Sequence, residues 1–180
     1  MGRTPDLSFS GINSALCEAC DVHDNITQYN DYYGIDTGGA VDTVVHHNVV
    51  TNNGNSTING GNGINCGACE SVEIADNEIG SNGWTRGGAQ IQVTTYDGGS
   101  SGFSISAQNV AIRRNHLICA NCNELGVQVL SDPPHTTIED NSTNGCTILK
   151  GYVLHLTKAE IHRNRQEGVA PLVKTDFSSG

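Results

Sequence analysis

Four residues have the chemistry for proton abstraction, and the repeats of this chain would bring them together: Asp132, His135, His155 and Tyr96. A carboxylate, two imidazoles and a phenol can serve as base and acid, and Arg86 close by can neutralise a carboxyl group beside the reacting carbon. That set suits β-elimination or epimerisation better than hydrolysis. Hydrolysis of a glycosidic bond commonly uses two carboxyls about 5–9.5 Å apart. Asp36 and Asp132 fall three repeats apart, about 14 Å at ~4.8 Å per strand spacing.

A second group of residues suits binding. Counted from the glycine that opens each repeat, one outward row reads Asn13, Asp36, Asn65, Gln90, Gln128 and Val153, and the next reads Ala15, Gly38, Gly67, Gln92, Leu130 and His155. Amides and a carboxylate offer both donors and acceptors, which matches sugar hydroxyls. The turns leading into this face carry Tyr32, Tyr33, Trp84 and Arg86. Aromatic rings beside a polar groove are platforms for sugar rings. The substrate-binding residues expected are therefore Asp36, Asn65, Trp84, Arg86, Gln90, Gln92, Gln128, Tyr32 and Tyr33. On another face His23 and His46 stand on neighbouring repeats with Asp21 beside them, a donor set that could hold a transition metal. They read more simply as outward residues of a solvated strand, so no metal and no cofactor is assigned.

What must position these residues is a repeat. The stretch Ser71 to Gly83, SVEIADNEIGSNG, recurs in altered form around Asn25, Asn48, Asn77, Asn115, Asn141 and Asn164. A glycine lies upstream of each, at a distance of 14, 14, 14, 27, 15 and 13 residues. Self-similarity at such a period marks a solenoid. After each glycine the apolar residues alternate (Ile12/Ser14, Ile35/Thr37, Ile64/Cys66, Ala89/Ile91), the period of a half-buried strand. Three before each Asn comes an inward Val22, Val45, Ile74, Ile112, Ile138 or Ile161, followed by an outward His23, His46, Ala75, Arg113, Glu139 or His162. The Asn is expected to take a left-handed bend and to stack on its equivalents. Each unit is then three short strands and three turns, and the units stack in parallel. The fold class expected is all-β, a single-stranded right-handed parallel β-helix of about six to seven rungs. It would fill residues 11–180 after a lead-in at 1–10, with a long loop inserted at about 94–108.

The V-x-I-x-x-N-x-I pattern resembles the right-handed parallel β-helix of the pectate-lyase-like superfamily, over most of the chain. That resemblance implies a scaffold shared by many activities, so function must come from the site. Asp132-Pro133-Pro134-His135 resembles the Asp-Pro-His-Glu stretch of mannuronan C5-epimerases, which are β-helices. An extra proline intervenes here, and Thr136 stands in place of the Glu. The motifs of polygalacturonases and pectate lyases are absent.

Composition narrows the partners. A formal charge of −10 with only nine Lys and Arg argues against nucleic acid, and no apolar run approaches a membrane span. The partner expected is a polysaccharide or oligosaccharide. The N-terminus has no signal-peptide core, which implies a cytoplasmic chain or an exported one whose signal was removed. Seven cysteines include three C-x-x-C pairs about 50 residues apart, too far for a zinc site of paired knuckles. On the repeat they read as small hydrophobes in the stack, with Cys119 and Cys146 near enough to bridge. Two readings stand: a carbohydrate-binding and polysaccharide-processing protein of the lyase or epimerase kind, or a non-catalytic module that self-associates through its open ends.

Overall fold

The computed structural model describes residues 10–54, 61–83, 88–97, 104–119, 125–129, 134–145, 147–152, 159–167 and 173–176. Its strands, numbered in chain order, fall into three parallel sheets and one short pair. The first sheet stacks β1 (Ile12–Asn13), β4 (Ile35–Asp36), β7 (Ile64–Gly67), β10 (Ala89–Thr94), β15 (Leu125–Val129), β18 (Thr147–Tyr152) and β21 (Val173–Asp176). The second stacks β2 (Asp21–His23), β5 (Val44–His46), β8 (Glu73–Ala75), β13 (Ala111–Arg113), β16 (Thr136–Glu139) and β19 (Ala159–His162). The third stacks β3 (Ile26–Gln28), β6 (Val49–Thr51), β9 (Glu78–Gly80), β14 (His116–Ile118), β17 (Ser142–Asn144) and β20 (Arg165–Glu167). The inserted loop contributes β11 (Tyr96–Asp97) and β12 (Ser104–Ile105), paired antiparallel.

This is an all-β parallel β-solenoid. It has about four turns, fewer than the six to seven rungs expected from counting repeats.

The interior is built from the alternation. Ile35, Ile64, Ile91 and Val127 stack on one wall, Val45, Ile74, Ile112 and Ile138 on the second, and Val50, Ile79 and Leu117 on the third, all fully buried. Stacking like on like brings branched side chains of equal size into contact along the axis, which favours a narrow core without voids. The second-sheet register, Val22–Val45–Ile74–Ile112–Ile138–Ile161, is the one expected from the repeat.

At the corner before β3, β6, β9, β14, β17 and β20 the asparagines form a ladder. Asn25 donates to Asn48 (3.0 Å), Asn48 to Asn77 (3.0 Å), Asn77 to Asn115 (2.9 Å), Asn115 to Asn141 (3.0 Å) and Asn141 to Asn164 (3.0 Å), in each case from Nδ2 to Oδ1. The left-handed residue of the bend is not the Asn but the one before it: Asp24, His47, Asp76, Arg114, Asp140 and Arg163 have φ of 49 to 56°. The Asn is thereby freed to turn its amide inward against the backbone carbonyls.

A second ladder runs at the next corner, where Asn30 donates to Asn53 (2.7 Å), Asn53 to Asn82 (2.9 Å) and Asn82 to Gln90 Oε1 (2.8 Å). Its sequence signal is an Asn five residues after the first in three successive repeats (Asn25/Asn30, Asn48/Asn53, Asn77/Asn82).

Two further expectations are corrected. Cys17–Cys20 and Cys66–Cys69 are disulfides, with Cα atoms 6.0 and 5.6 Å apart, rather than loose hydrophobes. The turn between the first and second sheets brings the two ends of each C-x-x-C within bridging reach. Cys119 is also bridged, to a residue outside the described ones; Cys146 and Cys122 lie there too. Ala75, expected outward, is buried at 1% exposure. It lies in register between His46 and Arg113 on the strands either side.

Candidate functional site

The outer face of the first sheet carries the polar row, and its membership follows from strand register. Asn13 pairs with Asp36, Asp36 with Asn65, Asn65 with Gln92, Gln92 with Gln128, Gln128 with Lys150 and Lys150 with Lys174. Gln92, not Gln90, is therefore the fourth member, and Lys150, not Val153, follows Gln128. The glycine-based count fails because β10 pairs Ile91, three residues after Gly88, with Ile64, one residue after Gly63, and because Gly151 lies inside β18 rather than before it.

Gln90 is fully buried. Its Oε1 accepts from Asn82 N (3.1 Å) as well as from Asn82 Nδ2, closing the second ladder where the earlier coils use an Asn. It leaves the list of residues that can meet a ligand.

Members of the row are tied to one another. Asp36 Oδ1 accepts from Asn65 Nδ2 (2.9 Å) and from Gly38 N (3.1 Å). Gln92 accepts from Asn62 Nδ2 (2.9 Å) and donates through Nε2 to Gln128 Oε1 (2.9 Å). Chains of this kind fix amide orientation before a ligand arrives, which lowers the ordering cost of binding. Asn65 Oδ1, buried, has no hydrogen-bond partner. The row of side-chain bonds is thus interrupted between Asn65 and Gln92, whose amide is instead bonded to Asn62 and Gln128. Beside the row the residues two further on are Ala15, Gly38, Gly67 and Thr94, so its flank is shallow.

At one edge Tyr32 and Tyr33 pack with ring centroids 3.8 Å apart, and the Tyr33 hydroxyl donates to that of Tyr32 at 2.8 Å. Burial pushes the Tyr33 phenol well above its usual range, helped by the Tyr32 hydroxyl and the Asp36 carboxylate. It stays protonated at any working pH and acts as a donor, not a base.

Of the other expected residues, Trp84, Arg86, Asp132 and His155 lie outside the described residues, and Tyr96 is described only as backbone, in β11 paired with Ile105. His135 is exposed at a corner, with φ 59°, at the position taken by Asp42, Ser71 and Asn109 on earlier coils. It stands between the strand of Gln128 and the second sheet.

The second sheet is a different kind of surface. Arg113 is paired with Glu73 through Nε (2.6 Å), Arg114 with Asp76 (2.9 and 2.8 Å), and Arg163 with Asp140 (2.8 and 2.7 Å) and Glu139 (3.0 Å). The Arg114 guanidinium holds the Asp76 carboxyl below its usual range, and Arg163 does the same for Asp140. At the first coils the His46 ring meets Asp21 (2.8 Å) and stacks on His23 with centroids 5.1 Å apart. Asp24 raises the His23 pKa. Among the described residues no three His, Cys, Asp or Glu side chains converge to hold a metal ion, and no helix is long and apolar enough to cross a membrane.

These pairs have a pH consequence. Because Asp76 and Asp140 are more acidic folded than unfolded, the stability they supply is present above the ordinary carboxylate range and is lost as pH falls through their folded values. Asp76→Asn and Asp140→Asn should lower the melting temperature at neutral pH and flatten the acid limb of its profile, so that variant and wild type converge as pH falls. A profile of unchanged steepness would mean the pairs are fully screened by water.

No protein-family model matches the chain, and no curated protein matches its sequence. Solved structures do resemble it. The A-module of the Azotobacter vinelandii mannuronan C-5 epimerase AlgE4 superposes with a TM-score of 0.57 at 16% identity, over 87% of this chain and 37% of that one. The A-module of AlgE6 from the same organism gives 0.54 at 17% identity, over 87% and 36%. The chain spans little more than a third of the length of each. At such identities the likeness is one of fold alone.

Proposed function

We propose that the chain binds polysaccharide along the outer face of its first sheet and takes part in processing it. The observation that carries this reading is the Asp36–Asn65–Gln92–Gln128 row, with amides held in place by their own hydrogen bonds and tyrosines at its edge. Donors and acceptors at one strand spacing suit a linear polymer of hydroxylated rings. Solved neighbours named as mannuronan C-5 epimerases support a polysaccharide as the partner. The processing chemistry that fits is removal of the proton beside a uronate carboxyl, with Asp132, His135, His155 and Tyr96 as the residues to test. Trp84 and Arg86 are the further residues to test for binding.

The experiment is a glycan screen read by the fluorescence of Trp84, the one tryptophan in the chain. Trp84→Ala should weaken the best oligosaccharide by about 1 kcal/mol, the scale of an aromatic contact, and leave the melting temperature unchanged. His135→Ala or Tyr96→Phe should abolish turnover and spare binding. If no glycan binds, the carbohydrate reading falls.

A second reading, a self-associating structural module, is favoured by Leu16, Ile26 and Tyr29, which are 84, 70 and 70% exposed on the first described coil. Sedimentation decides it: association that Ile26→Asp abolishes supports the module, and a monomer at all concentrations removes it.

A further inference from the structure

The polarity of the amide row is fixed from a single backbone group. Ala89 N–H can only donate, and Asn62 Oδ1 accepts from it at 2.8 Å. Asn62, 5% exposed, therefore turns its Nδ2 to the row, and Gln92 must answer with Oε1 (2.9 Å). Gln92 is left with Nε2 for its neighbour, so Gln128 must present Oε1 (2.9 Å). The relay ends there. Gln128 is half-buried, and its Nε2 has no partner among the described residues. It is an uncommitted donor.

The other half of the row is set in the opposite sense. Gly38 N–H (3.1 Å) and Asn65 Nδ2 (2.9 Å) both donate to Asp36 Oδ1, and a carboxylate only accepts. Asp36 Oδ2 has no partner among the described residues, so this end offers an acceptor. Between the halves Asn65 Oδ1 stays unpaired, with both ends of the neighbouring Gln92 amide engaged. Asp36 and Gln128 stand three strand spacings apart in register, ~14 Å. A chain of sugar rings covers that span and one ring does not. A hydroxyl donates or accepts and reads no polarity. A carboxylate on the ligand only accepts, and Asp36 repels it.

We propose that Asn62 is a positioning residue that makes Gln128 Nε2 the donor for an acceptor-only group, the carboxylate of an acidic glycan. The glycan then lies with hydroxyls at Asp36 and a carboxylate at Gln128. Asn62 sets this preference from beneath the row, without touching the ligand. The inference rests on the carbohydrate reading above.

The test reverses the relay at its root, in the whole chain. In Asn62→Asp the new carboxylate accepts from both Ala89 N–H and Gln92, so Gln92 turns over and Gln128 presents Oε1 outward. Two donors keep that carboxylate ionised above neutral pH. With no ligand present, NMR should show the Gln128 side-chain amide protons exchanging freely with solvent in the wild type and slowed in Asn62→Asp. A short oligouronate and its carboxyl-reduced, uncharged counterpart are then titrated at high salt, which screens the new charge and spares a hydrogen bond. Asn62→Asp and Gln128→Ala should each weaken the oligouronate about tenfold, the scale of one hydrogen bond to a charged group, and the uncharged sugar about threefold at most. Gln128 amide protons protected in the free wild type, or unmoved by Asn62→Asp, overturn the inference. If Asn62→Asp does not fold, Gln128→Ala decides. Equal weakening of both sugars, or of neither, then overturns the inference, while their binding to the wild type upholds the carbohydrate reading. If the wild-type protein binds neither sugar, the carbohydrate reading falls and takes the inference with it.

Discussion

Asn77→Ala should lower stability by about 3 kcal/mol or more, a large share of the 5–15 kcal/mol typical of a folded domain. Asn77 Nδ2 donates to Val45 O (2.9 Å), Ala75 O (2.9 Å) and Asn115 Oδ1 (2.9 Å), and its Oδ1 accepts from Asn48 N (2.9 Å) and Nδ2 (3.0 Å). Alanine removes all five bonds and leaves the buried Asn48 amide without its acceptor. Leaving a buried polar group unpaired costs about 1–3 kcal/mol, and neighbouring ladder members share the loss. Glu78→Ala, one residue on and exposed, should shift the denaturation midpoint by less than about 0.5 kcal/mol equivalent. Equal shifts for the two variants would show that the ladder does not hold the coils together.

The second large effect separates two glutamines two residues apart. Gln90→Leu keeps the buried volume but strips Asn82 N and Nδ2 of their shared acceptor, at a cost of about 2 kcal/mol. Gln92→Ala, on the half-exposed row, should cost little stability and should weaken glycan binding instead. Chemical denaturation and a binding titration on both variants check the pair. If Gln90→Leu melts like wild type but loses ligand, Gln90 faces the groove and the buried ladder is misplaced; if Gln92→Ala binds like wild type, the row is not the site.

The two glutamines also mark how far a sequence of this kind can be read. Period-two alternation places Gln90 and Gln92 on the same outward side of β10, and nothing local separates them. What separates them is the corner at Asn82 and Gly83, which covers the start of β10 and brings Asn82 against Gln90. The Asn25–Asn164 ladder was legible because a buried, self-pairing Asn recurs at one place in every unit. The second ladder was not read from the sequence: its signal is a spacing of five in only three units before a glutamine replaces the asparagine.

By itself the sequence determined the architecture: which residues face inward on the second and third sheets, and that like stacks on like. Burial of a branched side chain at every third strand leaves no other arrangement of Val22, Val45, Ile74, Ile112, Ile138 and Ile161. Tertiary structure alone decided the register of the first sheet, and with it the membership of the polar row. An outward face is solvated and tolerates most residue types, so a slip of two residues costs the pattern nothing. Backbone pairing of β10 with β7, and of β15 with β18, brought Gln92 and Lys150 into the row and left Gln90 and Val153 out of it.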